Sequence, residues 1–375
     1  MEILYPDYEN SALGTVNAIL SHYGAQTRHA PLSMLQDRLK TAGRNVVFLV
    51  LDALGLEVLE RHARPEGFFR SHLMGALSPV FPCTTVAAMN SYYSGLSPAE
   101  HGWLGWSLFF KEYGRVVDTY LNRDSFTHEA VQPPPAYTLM PYESIFTALQ
   151  KAGVECRSIS PFPSPYCDCW QIEAGFEDQL RAIGELCARP GERFIMGYFT
   201  EPDALMHRLG PGDERAGALV RALEAQLESA FQTWPQATLI LSADHGMTSI
   251  GRILYIDEMP ELMELLVLQP FIESRAASFF VKRGKEALFE ERFRARLGED
   301  FLLMDHDQAL KKLFGPGEPH PKTLDFVGDY LALGISDAML ESRGLGQTHP
   351  KQFRGQHAGL TRAEMRIPLI VAQNR

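Results

Sequence analysis

Seven residues of types that bind metal ions or attack phosphorus stand where apolar segments end: Asp52, Thr85, Asp203, His207, Asp244, His245 and His357. Carboxylate combined with neutral imidazole is a donor set suited to zinc and related first-row divalent ions. Asp203 and His207 are four apart, so a helical turn projects both from one face and lets them share a metal. Seven groups are too many for one zinc but divide into two sites, and paired metals about 3.5–4 Å apart recur in in-line phosphoryl displacement. A threonine hydroxyl is a weak nucleophile at its ordinary pKa, which metal coordination lowers without a separate base. Cys83 is the rival nucleophile, but the Cys-x-Pro-x-Arg pattern of formylglycine sulfatases does not follow it.

Each residue alone has an ordinary structural role. An Asp after a strand often caps the next helix, which applies to Asp52, Asp203 and Asp244. Thr85, or Thr84 beside it, suits an N-cap or first-turn position, and a helix start there offers free N–H groups to phosphate oxygens. His207 alone suits a solvated helix and His357 a turn. The adjacent pair Asp244-His245 is sharper, because a buried strand delivers two groups that both need partners once desolvated. The remaining histidines, His101 and His349 among them, are assigned to surface or packing roles.

The elements that must position these groups are short, wholly apolar strands alternating with amphipathic helices. The strands are Val46 to Leu51, Val154 to Ser158, Phe194 to Phe199, Thr238 to Leu241 and a final Ile367 to Ala372. Between them run helices at Thr85 to Tyr93, Glu143 to Lys151, Phe176 to Cys187 and Asp213 to Trp234. Such strands are buried on both faces, which predicts an α/β fold with a mainly parallel sheet sandwiched by helices. Ligands bind such sheets at the carboxyl ends of the strands, where the polar residues fall. Residues 1–44 read as an N-terminal helical appendage, 45–251 and 341–375 as the catalytic core, and 252–340 as an inserted smaller α+β cap. Ser107 to Leu121 reads as a hairpin around Glu112-Tyr113-Gly114-Arg115 that forms part of a site wall.

The chain has 375 residues, about two and a half domains' worth of polypeptide, with 45% hydrophobic and 22% charged residues. These values exclude disordered, collagen-like and disulfide-scaffold classes. A net charge of −11 argues against binding a nucleic-acid scaffold through a broadly basic surface. An anionic substrate therefore needs a local device, such as a metal centre. The longest apolar run, Val46 to Leu51, is far short of a membrane span. The first residues carry acids where a signal peptide carries Lys or Arg, so the expectation is a cytoplasmic protein that does not enter the membrane. Its five cysteines, Cys83, Cys156, Cys167, Cys169 and Cys187, are sparse and read as mostly reduced and structural. Oligomeric state is not legible.

Together these segments resemble the alkaline phosphatase superfamily, in its branch of type I phosphodiesterases and nucleotide pyrophosphatases. The resemblance rests on Val-Leu-Asp52, on Phe81-Pro82-x-x-Thr85 followed by Ser94-Gly95-Leu96-x-Pro98-x-x-His101-Gly102, on Glu201-Pro202-Asp203-x-x-x-His207, on Ala243-Asp244-His245-Gly246 and on Gly355-x-His357. Their order matches from about residue 45 to the C-terminus. The resemblance implies an alkaline phosphatase-like fold and one metal held by Asp203, His207 and His357. It implies another held by Asp52, Asp244, His245 and Thr85, both most suitably Zn2+, with Mn2+ or Fe as alternatives. It also implies attack of Thr85 on a small anionic phosphoester, through a phosphoryl-threonine intermediate. Two positions depart from the pattern. Val86 stands where nucleotide-hydrolysing members carry an aromatic, and Trp106 where they carry an Asn that binds a phosphate oxygen. Asn90, Trp106, Lys351 and Arg354 are candidate substrate contacts. The alternatives are a phosphonate, phosphomonoester or sulfate ester hydrolase using the same site, or an inactive zinc-binding scaffold.

Overall fold

The computed structural model describes residues 2–163, 170–343 and 352–374. Every residue of the strand Asn45–Leu51 is buried, so it requires neighbours on both edges and cover on both faces. It pairs in parallel with Arg193–Phe199 on one side and Ala237–Ser242 on the other. Beyond Arg193–Phe199 the sheet continues in parallel through Glu155–Ser160 to Trp170–Ile172. On the opposite flank, Ile367–Gln373 runs antiparallel to Ala237–Ser242, and Leu73–Leu77 closes the seven-stranded sheet. The helices Phe176–Ala188 and Glu214–Phe231, and most of Thr85–Ser94, bury their apolar residues in the same core as these strands. The fold is therefore the α/β, mainly parallel arrangement that the strand pattern predicts.

The first helix, Ala12–His22, is more than an appendage. Its residues from Ala12 to Leu20 are all buried, and Leu13, Val16, Ile19 and Leu20 belong to the main core.

A second seven-stranded sheet, antiparallel throughout, stands apart from the first. Its order is Phe301–Asp305, Tyr330–Gly334, Ala276–Phe279, Phe271–Glu273, Ser107–Phe110, Arg115–Asp118 and Arg123–Asp124. An insertion confined to 252–340 thus supplies only part of this sheet. The hairpin that the sequence places within 45–251 completes it, joined at the register Ile272 to Ser107. The reason is burial: Leu108 and Phe110 need an apolar partner and share a second core with Phe271, Ile272, Leu331 and Leu333. The Thr85–Ser94 helix lies at the junction, with Val86 in this second core and Ala87, Ala88 and Tyr92 in the first.

No helix among the described residues is long and apolar enough to cross a membrane. Cys83, Cys156 and Cys187 are buried. Cys167, Cys169, His349 and Lys351 lie outside the described residues.

Candidate active site

The carboxyl ends of Asn45–Leu51, Arg193–Phe199 and Ala237–Ser242 lead directly into Asp52, Asp203 and Asp244-His245. Two backbone bonds lock the edge: Asp52 N–H donates to Phe199 O at 2.9 Å, and Asp203 N–H donates to Asp52 O at 3.1 Å. The final strand runs the other way, so its beginning, not its end, meets this edge. Ahead of it the short strand Gly355–Gln356 pairs antiparallel with Thr248–Ser249, which follow Asp244-His245, and so sets His357 beside the other ligand-type residues.

None of the carboxylates serves as a helix cap through its side chain. The helix after Asp52 is capped at Gly55, and Asp203 is already the first helical residue of Asp203–Leu209. Asp244 Oδ1 accepts from the backbone N–H groups of Ala53 and His245, each at 3.0 Å. Its Oδ2 has no hydrogen-bond partner, and the same is true of Asp203 Oδ1 and His357 Nδ1, although all three atoms are buried.

The imidazoles are oriented by carbonyls. His245 Nδ1–H donates to Gly246 O at 2.9 Å, which leaves the Nε2 lone pair pointing inward. That lone pair lies 3.4 Å from Asp52 Oδ1, 3.4 Å from Asp244 Oδ2 and 3.2 Å from Thr85 Oγ1. Likewise His207 Nδ1–H donates to Gly355 O at 2.9 Å, and its Nε2 is 3.3 Å from Asp203 Oδ1. His357 Nε2 is 4.0 Å from the same oxygen, and its ring stacks on His245 with centroids 3.9 Å apart. Lone pairs facing carboxylate oxygens repel each other unless a cation lies between them. The buried, unpartnered oxygens and the inward lone pairs therefore fit divalent cations.

Two groups are tightest: Asp52, Asp244 and His245, and Asp203, His245 and His357. His245 belongs to both. The second differs from the trio implied by the sequence in taking His245 beside Asp203 and His357, while His207 stays in ion-pair range of Asp203.

The electrostatics agree with this packing. Burial, then the neighbouring charges of Asp244 and Asp203, holds the Asp52 carboxyl well above the usual carboxylate range. Burial, reinforced by His245 and His207, holds His357 well below the ordinary histidine value, keeping it neutral. Burial also depresses His207, but Asp203 and the Gly355 carbonyl more than offset it and raise its pKa. Tyr198 was not legible as a site residue: its hydroxyl donates to Asp52 Oδ2 at 2.5 Å from within a strand that reads as simply apolar.

Thr85 opens its helix after the N-cap residue Thr84, and the Thr84 side chain makes no capping bond. The Thr85 hydroxyl is 3.5 Å from Asp52 Oδ1 and faces a cavity of about 700 Å³. Asp203, His207, His357 and Trp106 also line it. Trp106 is 42% exposed, a high value for an indole, and its backbone N–H is held by Glu273. Asn90 is not brought there. It is buried, donating to Val86 O and Tyr120 Oη and accepting from the Tyr142 hydroxyl, so its amide is committed to the fold. Arg354 is exposed and does not line the cavity, while its backbone N–H donates to His207 O at 2.8 Å. Val86 is buried away from the cavity.

Comparison with solved structures finds the same fold in murine ectonucleotide pyrophosphatase/phosphodiesterase 5. The TM-score is 0.64 at 19% identity, covering 86% of this chain and 87% of that one. Phosphonoacetate hydrolase from Sinorhizobium meliloti, in complex with phosphonoformate, superposes with a TM-score of 0.65 at 15% identity over 88% of this chain and 90% of that one. In sequence, the human ectonucleotide pyrophosphatase/phosphodiesterase family member 5 is 24% identical over 152 residues. That match spans 38% of this chain and 30% of the human protein's length. The profile of the type I phosphodiesterase / nucleotide pyrophosphatase family matches residues 46–307, from the central strand through most of the second sheet, and the chain belongs to that family.

Proposed function

We propose that this chain is a metal-dependent hydrolase of phosphodiester or nucleotide pyrophosphate bonds, acting through a phosphoryl-threonine intermediate on Thr85. One observation carries the reading: Thr85 Oγ1 sits beside Asp52 and His245 at the start of a helix that faces the cavity. Asp203, His207 and His357 would hold one divalent cation, and Asp52, Asp244, His245 and Thr85 a second, with zinc the ion that suits these donors. When bound, such cations neutralise phosphoryl charge and lower the pKa of coordinated hydroxyl and water.

The chain's own residues supply the rest. Thr85 Oγ1 attacks phosphorus, forming the Thr–O–P bond as the first product leaves. Water then cleaves that bond and restores the hydroxyl. Because Thr84 does not cap the helix, its first-turn N–H groups and positive dipole end stay open to phosphoryl oxygens. Carbonyl anchors fix the tautomers of His207 and His245, so both present a lone pair rather than a proton to the centre. A cavity of about 700 Å³ suits a small phosphoester. The murine relative was solved with AMP in an inactive variant bearing a threonine-to-alanine change, which supports this substrate class.

The test is Thr85→Ala assayed with bis-p-nitrophenyl phosphate. Turnover should fall by more than about a thousandfold, while metal content by elemental analysis and melting temperature hold. Undiminished turnover rejects the mechanism. A strong wild-type preference for p-nitrophenyl phosphate or p-nitrophenyl sulfate over the diester rejects the substrate class.

A further inference from the structure

Glu273 ends the strand Phe271–Glu273 of the second sheet and reaches across to the start of the Thr85 helix. Its Oε1 accepts from the Thr84 hydroxyl at 2.8 Å and from the Trp106 N–H at 2.7 Å. Among the described residues no hydrogen bond reaches Oε2, and the side chain lines the same cavity as Thr85, Asp203 and His357. It is not a member of either tight group of ligand-type residues.

The backbone is built around this placement. Three residues with left-handed φ adjoin site side chains: Ala53 at 58° after Asp52, Ala358 at 84° after His357, and Ile272 at 89° before Glu273. For a β-branched residue such a φ is an outlier, and conformations of this kind persist where the surroundings over-determine them, commonly at functional sites. Gly105 makes the approach possible, because a Cβ there would meet Ile272 O at 2.8 Å and Glu273 Cγ at 3.1 Å.

A carboxylate with one uncommitted oxygen is an unexpected wall for a cavity that takes an anion. Resting on the phosphoryl-transfer reading above, we propose that Glu273 is a specificity-determining residue that excludes phosphorus esters by charge. Its ionised carboxylate, beside the nucleophile's helix, disfavours the doubly charged phosphoryl group of a monoester and admits the singly charged group of a diester. Oε1 fixes the carboxylate through Thr84 and Trp106, and Oε2 carries the charge into the cavity.

The experiment compares two near-isosteric substrates that differ by one charge: p-nitrophenyl phosphate, a dianion, and p-nitrophenyl methylphosphonate, a monoanion. Burial pushes the Glu273 carboxyl up to about 7, so an assay at pH 9 keeps it ionised. Glu273→Gln removes the charge while preserving an acceptor oxygen for Thr84 and Trp106. In that variant kcat/KM for the phosphate should rise at least about tenfold, and that for the methylphosphonate by about the square root of the same factor, roughly threefold, because the repulsion scales with substrate charge. Glu273→Asp, which keeps the charge, should retain the wild-type ratio. Glu273→Ala gives the same readout as the glutamine variant if that one does not fold. Equal fold-changes on both substrates, or no change on either, overturn the inference and reduce Glu273 to a structural tie. Absence of wild-type turnover on these esters and on bis-p-nitrophenyl phosphate overturns the parent reading, and this inference with it.

Discussion

Replacing Arg275 with Met should lower the melting temperature by roughly 4–6 °C. Arg275 and Glu364 are fully buried and form a two-pronged pair, Nε to Oε1 at 2.7 Å and Nη2 to Oε2 at 2.8 Å. Arg275 lies in the turn between two strands of the second sheet, whereas Glu364 belongs to the loop after His357. The remaining capacity of Glu364 is taken by the N–H groups of Gly359 at 2.8 Å and Thr361 at 3.2 Å and by the Thr361 hydroxyl at 2.5 Å. Its backbone carbonyl accepts from Gly246 N–H, next to His245. Removing the guanidinium leaves a buried carboxylate with neutral donors alone, a loss of about 3–5 kcal/mol. An unfolding entropy of about 2.1 cal/mol/K per residue gives roughly 0.8 kcal/mol/K for a chain of 375 residues, hence the stated shift. Thermal unfolding of Arg275→Met, Glu364→Leu and the double variant forms the cycle. The double variant should be more stable than either single one, since it leaves no charge unpaired. A single variant melting within about 1 °C of wild type would refute the reasoning.

Three further perturbations follow from the same geometry. Tyr198→Phe removes the hydroxyl that donates to Asp52, and should weaken metal binding by about 10–100-fold in competition with a chelator. His245→Ala should lower bound metal at the group around Asp52 and Asp244, whereas Asp203→Asn should lower it at the group with His207 and His357 and leave the group around Asp52 loaded; elemental analysis decides. His101 is buried, its Nδ1 accepting from Trp103 N–H and its ring lying against Ser91 Oγ, and burial lowers its pKa to about 3. The native state therefore refuses a proton that the unfolded chain takes up below about pH 6.5. Stability should thus fall on acidification by up to about 1.4 kcal/mol per pH unit between those two values. Urea titrations at pH 7.5 and 5.5 should show a smaller loss in His101→Gln than in wild type, and equal losses contradict the assignment.

Periodicity found the buried strands because residues sealed on both faces must be apolar, and a polar residue ending such a run is conspicuous. It did not find the strand Leu73–Leu77, whose residues are mostly half-buried and include Gly75, leaving no clear pattern. Glu273 and Tyr198 gave no signal, since each acts through a partner distant in the chain: Thr84 and Trp106 for one, Asp52 for the other. Asn90 shows the reverse error. Its type and its place on the Thr85–Ser94 helix suggest a phosphate contact, but the helix turns it toward Tyr120 and Tyr142.

What the sequence determined by itself was local: which segments are strands buried on both faces, which polar residues end them, and the ordered motifs of the family. The tertiary structure decided which of those ends meet. Strand direction is set by pairing across more than a hundred residues: Gly355–Gln356 against Thr248–Ser249, with the reversed run of Ile367–Gln373 against Ala237–Ser242, carries His357 to the edge where Asp52 and His245 lie. In the same way the hairpin at Ser107–Asp118 joined the second sheet because its apolar face needed cover that its own neighbours in sequence do not supply. That union placed Glu273 beside Thr84, a contact no spacing of residues encodes.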